Sequence, residues 1–140
     1  NDKWKALYTG VFRANQAIGF LNAYEPGEND QETYNTLRGQ ALFLRGLFYF
    51  YLHSSFNNGE VPIIDEISAT LDEFYPPLSA SDDVLAFYRS DLEEARNLLP
   101  VSYDSDTDLG RATSGAATTI LGTSYLYNKE YSLASEALVY

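Results

Sequence analysis

Residues 34–64 read YNTLRGQALFLRGLFYFYLHSSFNNGEVPII. Tyr34, Leu37, Ala41, Leu44, Phe48 and Leu52 recur at three- and four-residue intervals, while Leu42, Phe43, Leu47, Tyr49, Phe50 and Tyr51 fill most of the other directions. A helix apolar nearly all round is buried by neighbours on several sides, so this stretch predicts a central element. The apolar run is about a dozen residues and Arg45 interrupts it, too short and too polar to cross a bilayer. Gly39 and Gly46 mark places where a neighbouring backbone can come close.

On the N-terminal side, Trp4, Leu7, Val11, Ala14, Ile18 and Leu21 follow helical spacing and predict a first helix from about residue 3 to Tyr24. Glu25-Pro26-Gly27 ends it, and Asn29 or Asp30 is placed to cap the central helix, giving an antiparallel hairpin. On the C-terminal side, the turn chemistry of residues 53–59 leads into Val61-Pro62-Ile63-Ile64, which reads as extended because Val61 precedes proline. A stiff linker through Tyr75-Pro76-Pro77 follows. Ser79 with Asp82 has the spacing of a capping box, opening a third helix on Leu85, Tyr88, Leu92, Ala95 and Leu99 that Pro100 stops. Thr113 or Ser114 caps a fourth helix, and Asn128-Lys129 turns the chain into a fifth that runs to the end. Leu121-Gly122-Thr123-Ser124-Tyr125 matches the L-G-x2-Y core of a tetratricopeptide repeat, with Ala134 at the small-residue position and Thr118 where a large residue is usual. The expected fold is all-α: antiparallel helical hairpins in a tetratricopeptide-like superhelix with long loops. Residues 1–140 read as a single helical domain, a fragment of a longer protein.

Composition narrows function. The net charge is −11, which opposes binding to a phosphate backbone, so no nucleic-acid partner is expected. The 140 residues contain no cysteine, which removes disulfides, thiolate zinc sites and cysteine nucleophiles. No cofactor-binding loop and no nucleophile elbow occurs, and the carboxylates lie outside the apolar patterns, so neither a cofactor nor an enzymatic activity is expected.

Each chemically notable residue has a functional and a plainer reading. Asp104, Asp106 and Asp108 alternate as calcium ligands do, but Leu109 stands where an EF-hand needs glycine and Gly115 where it needs glutamate, so a solvated acidic loop is the simpler reading. The lone His53 reads as a capping or solvent-facing residue. Arg13, Arg45 and Arg111, with Asn15 and Asp91, are assigned structural roles: satisfying helix-end carbonyls, or pairing, as Arg45 with Asp91. Contact of these arginines with an anion or a sugar is the alternative. Trp4 lies in helical register and reads as packing; the loop residues Tyr75 and Tyr103, with Asn57 and Asn58, are the candidates for exposed contact with a sugar.

Six segments in order carry a resemblance. They are Trp4 to Ile18 (W-x2-L-Y-x3-F-R-A-N-x-A-I), Leu37 to Phe50 (L-R-G-Q-A-L-F-L-R-G-L-F-Y-F), Val61-Pro62-Ile63, Asp91 to Pro100, Gly110-Arg111-Ala112-Thr113 and Ala116-Ala117. Together they resemble the SusD/RagB family of outer-membrane nutrient-binding lipoproteins of Bacteroidetes-type bacteria, in its N-terminal helical part. Gln40 departs from the acidic residue common there, Gly46 from the usual alanine, and the turn from Phe56 to Glu60 is longer than the family's. The resemblance implies a protein on the external face of the outer membrane. It would capture oligosaccharide and pass it to a TonB-dependent transporter of the SusC type. It also implies a lipid anchor, which this chain does not contain, and sugar contacts made mainly by variable loops and by the part of the family protein beyond this stretch. The rival reading is a generic helical-repeat scaffold for protein–protein interaction.

Overall fold

The longest helix is the one the sequence places at the centre. A computed structural model describes residues 1–67 and 76–139, and in it Gln31–Ser55 form one continuous helix, α2. Before it comes α1 (Asp2–Asn22), and after it α3 (Ser81–Leu98), α4 (Ser114–Tyr127) and α5 (Tyr131–Leu138). No strand occurs among the described residues; the fold is all-α.

Close contacts fix the direction of each helix. Lys3 Nζ at the start of α1 donates to Ser55 Oγ at the end of α2 (2.8 Å), and Arg38 Nη1 near the start of α2 donates to Asn22 Oδ1 at the end of α1 (2.7 Å). These two helices are therefore antiparallel. The glycines of α2 do what their spacing suggests. A methyl group on Gly39 would stand 2.9 Å from Leu99 Cγ, and one on Gly46 2.9 Å from Leu92 Cγ, so α3 lies against α2 closer than a larger residue would permit. At the other end of the pair His53 meets Ser81, which makes α3 antiparallel to α2. In the last hairpin, Leu138 of α5 fills the space a side chain on Gly122 of α4 would take, 2.5 Å from such a group.

Two apolar clusters hold the stack together. Val11, Tyr49, Leu52, Val61, Val84, Tyr88, Leu92 and Leu121 form one, drawn from α1 to α4. Ile18, Leu42, Ala95, Leu99 and Ala117 form the other, nearer the start of α2. Residues 61–64 run extended between helices rather than in a sheet, as the proline predicts.

Three local expectations are corrected. Helix α1 ends at Asn22, two residues before Tyr24. The third helix is not opened by a capping box: its N-cap is Ala80, without a side-chain cap, and Ser79 Oγ instead accepts from the Ile63 N–H (3.4 Å). Asp30 occupies the N-cap of α2, but its carboxylate accepts from the Tyr24 hydroxyl (3.0 Å) rather than from the helix. Thr113 does cap α4, its hydroxyl accepting from the Ala116 N–H (3.2 Å).

A larger correction concerns α2 itself. Its apolar circumference predicts enclosure, yet Leu37, Leu44 and Tyr51 are 46%, 43% and 43% exposed. They fall seven residues apart, one stripe along the helix. Helices α1 and α3 cover the sides bearing Ala41, Leu42, Gly46, Tyr49 and Leu52 and leave this stripe uncovered.

Candidate functional site

Where α1, α2, α3 and the extended segment meet, the interior is polar. Arg45 donates from Nε to Asp91 Oδ2 (2.7 Å) and from Nη2 to Asp91 Oδ1 (2.8 Å), a two-pronged pair that matches the planar guanidinium to the carboxylate. Its Nη1 donates to Asn15 Oδ1 (2.9 Å) and to the Asp65 carbonyl (3.1 Å), and the Asn15 amide donates to the Ile64 carbonyl (2.8 Å). The guanidinium also lies over the Phe87 ring, 4.8 Å from its centroid. Burial pushes the Asp91 carboxyl upward from its ordinary value, against the pull of Arg45. Side chains from α1 and α3 thus converge on one guanidinium of α2. With every buried polar group of Asn15, Arg45 and Asp91 engaged internally, the cluster fastens the helices and the extended segment.

Two tyrosines hold that segment from the other side. The Tyr8 and Tyr49 hydroxyls both donate to the Pro62 carbonyl (2.7 and 3.1 Å), and the Ile64 N–H donates to the Tyr49 oxygen (2.7 Å). Burial pushes the pKa of both phenols upward, so both stay protonated donors. Tyr49→Phe leaves the part-buried Ile64 N–H without its acceptor, and a loss of about 1–3 kcal/mol is expected in a urea melt.

His53 closes the far end of α2. Its Nε2 lies 2.9 Å from Ser81 Oγ, and its ring meets Tyr88 edge-on, centroids 5.6 Å apart. Burial lowers its affinity for a proton, and Arg89 adds to the effect against Asp82. The unfolded chain therefore takes up a proton at His53 before the folded one does. Stability is full above the ordinary histidine value of 6.5 and declines as the pH falls below it. His53→Gln is expected to flatten that part of a stability-against-pH curve; an unchanged curve would place the dependence elsewhere.

The sugar candidates are not brought together. Asn57 and Asn58 are exposed in a turn after α2. Tyr103 lies near the other end: its hydroxyl donates to the Ala112 carbonyl (2.8 Å) and accepts from Gln40 Nε2 (3.1 Å). Gln40 and Asn57 are separated by roughly 25 Å of helix axis. Tyr75 lies outside the described residues. Gln40 serves as a local bridge between Tyr103 and Arg111, whose Nη1 donates to Gln40 Oε1 (3.2 Å). Arg111 Nε in turn donates to Asp108 (2.7 Å), which pins the acidic loop. Asp104 and Asp106 are exposed, and among the described residues no group of three metal-ligating side chains converges. Arg13, given a structural role at helix-end carbonyls or with a carboxylate, is exposed, and none of the ion pairs among the described residues includes it.

One concave surface had no warning in the sequence. A cleft of about 770 Å³ runs along α1 and the extended segment, lined by Trp4, Tyr8, Phe12, Pro62, Ile64 and Pro76. That volume is within the range of small-ligand sites. Trp4 packs against Tyr8 (centroids 4.9 Å) and edge-on against Phe56 (5.1 Å), so its ring is held rigidly beside the cleft. The helical period marks these aromatics as a packing stripe; that the extended segment crosses beside them and leaves a cleft is a tertiary fact.

The comparisons with known proteins agree on one family. Residues 1–126 match the SusD-like family described as "Starch-binding associating with outer membrane". A SusD-like protein of Bacteroides ovatus is 30% identical over 123 residues, covering 88% of this chain and 21% of its own length. A crystal structure of a SusD-like protein from Bacteroides fragilis superposes with a TM-score of 0.85 at 29% identity, over 97% of this chain and 25% of that one. A laminarin-binding SusD-like protein superposes with a TM-score of 0.84 at 30% identity, over 96% of this chain and 28% of that one. The chain thus spans between a fifth and a third of these relatives. The shared helical order and a match running from the cap of α1 almost to the end of α4 leave one assignment: this chain belongs to the SusD-like family.

Proposed function

We propose that this chain is the helical part of a longer glycan-binding protein, which captures oligosaccharide at the outer face of the outer membrane and presents it to a TonB-dependent transporter of the SusC type. The family match over residues 1–126 carries this reading. A relative described as laminarin-binding that shares the fold supports a glycan as the ligand class. The relatives' greater length and the uncovered stripe of Leu37, Leu44 and Tyr51 support further polypeptide in the working protein.

In this reading the protein binds and does not catalyse. Among the described residues, Arg45 is held by Asp91, His53 by Ser81, and Arg89 by Glu130 and Ser124, which supports structural roles for them. The external location also rests on the family; among the described residues no helix is long and apolar enough to cross a membrane. Asn57 and Asn58 are exposed amides available to a sugar hydroxyl, and the aromatic side chains of Trp4 and Phe12 line the cleft along α1.

Co-isolation tests the assembly. The tagged full-length protein, taken from detergent-solubilised outer membranes, is expected to bring down a TonB-dependent transporter in near-equal amount. Recovery with a different, soluble protein partner would favour a generic helical-repeat scaffold instead.

A further inference from the structure

Asn58-Gly59 is the one Asn-Gly pair in the sequence, and it sits in an unusual turn. Asn57, Asn58 and Gly59 take φ of 48°, 55° and 89°, three consecutive residues in the left-handed region. We propose that Asn58 is a site of spontaneous deamidation, and that the fold of this turn holds the reaction back until the turn opens.

The chemistry needs only water. The Gly59 backbone nitrogen attacks the side-chain Cγ of Asn58, the new N–Cγ bond closes a five-membered succinimide, and Nδ2 leaves as ammonia. Water then opens the ring at either carbonyl, giving aspartate or isoaspartate at position 58. Glycine on the C-terminal side offers no side chain to block the approach, which singles out this pair among the asparagines of the chain. The Asn58 side chain is exposed, so water and base reach it.

What restrains the reaction is the nucleophile. The Gly59 N–H donates to the Phe56 carbonyl (2.8 Å), and the next N–H, of Glu60, donates to the Asn57 carbonyl (3.1 Å). Closure of the ring requires the Asn58–Gly59 peptide to rotate out of φ 55°, ψ 31° and the Gly59 nitrogen to leave Phe56. Gly59 has no room for that movement. It is buried, and even a methyl group there would lie 2.4 Å from Ser81 Oγ and 2.7 Å from the His53 ring. The reactive amide is therefore clamped between α2 and α3 while its target side chain is open to solvent. Once formed, isoaspartate adds a methylene to the backbone between α2 and Val61, and Gly59 no longer fits its slot. Chains that have opened here keep a covalent record of it.

The test follows isoaspartate at position 58 by peptide mapping with mass spectrometry. The full-length protein is incubated at mildly alkaline pH, folded in buffer and unfolded in concentrated urea. Folded protein is expected to react at least roughly tenfold more slowly, since reaction waits on local opening. Ser81→Ala, which removes one wall of the slot and the His53 bond, is expected to speed the reaction in buffer and leave the rate in urea unchanged. Equal rates in buffer and urea, no isoaspartate at 58 in urea, or a Ser81→Ala protein that reacts in buffer at the parent's rate would each overturn the proposal.

Discussion

Arg45→Ala is expected to lower the unfolding free energy by about 3–5 kcal/mol, because it leaves the Asp91 carboxylate buried without its partner. The side chains of both residues are under a tenth exposed. The loss spreads beyond the pair: Asn15 loses the donor to its oxygen and the Asp65 carbonyl loses Nη1, so the extended segment loosens with the helices. Arg38→Ala is the control. Arg38 pairs with Glu94 at the same 2.7 Å, but the partners are 22% and 45% exposed, and water replaces most of what is removed. Its cost is expected to stay within about 1 kcal/mol. Replacing Arg45 and Asp91 together by apolar residues of similar volume is expected to cost much less than Arg45→Ala alone, since no charge is then stranded. Denaturant melts measure all three. An Arg45→Ala protein that melted like Arg38→Ala would contradict the account of the cluster.

The second large effect belongs to Gly59. Gly59→Ala and Gly110→Ala place a side chain at nearly the same φ, 89° and 91°. The left-handed conformation costs each about 1–2 kcal/mol. Gly110 has nothing within 4 Å of the added methyl group, so its loss ends there. At Gly59 the methyl meets Ser81 and His53, and overpacking of this kind adds about 1–3 kcal/mol. A total of about 3 kcal/mol is expected for Gly59→Ala. Equal losses for the two variants would mean that the seat of Gly59 yields freely, which would also weaken the clamp proposed for Asn58.

Local chemistry was legible in the sequence, and neighbours in space were legible only in part. The period of α2, its two packing glycines, the Thr113 cap and the extended path after Val61 follow from spacing and from proline and glycine chemistry. Arg45 and Asp91 could be matched because an arginine inside an apolar run needs an acceptor and the third helix offers few on its inner face. Asn15 shares that cluster, yet nothing in its surroundings along the chain marks it as the ligand of an arginine on another helix. Enclosure of α2 failed for a related reason. Periodicity states which directions are apolar, while the number of helices standing around them is set by tertiary connection, and here the side bearing Leu37, Leu44 and Tyr51 is covered by none among the described residues. The sugar candidates were selected by residue type and by loop position, and type carries no information on distance; Tyr103 and the asparagines lie at opposite ends of α2. The cleft along α1 was invisible because Trp4, Tyr8 and Phe12 share the helical register of core residues.

The relation of this framework to ligand capture can be measured on the whole protein. Calorimetric titration of the full-length protein with a panel of oligosaccharides, laminarin and starch fragments among them, is expected to give saturable heat for at least one glycan, with the sugar recovered uncleaved. No heat with any glycan in the panel, or release of shortened sugar, would contradict the proposal that this chain is part of a glycan-capturing, non-catalytic protein.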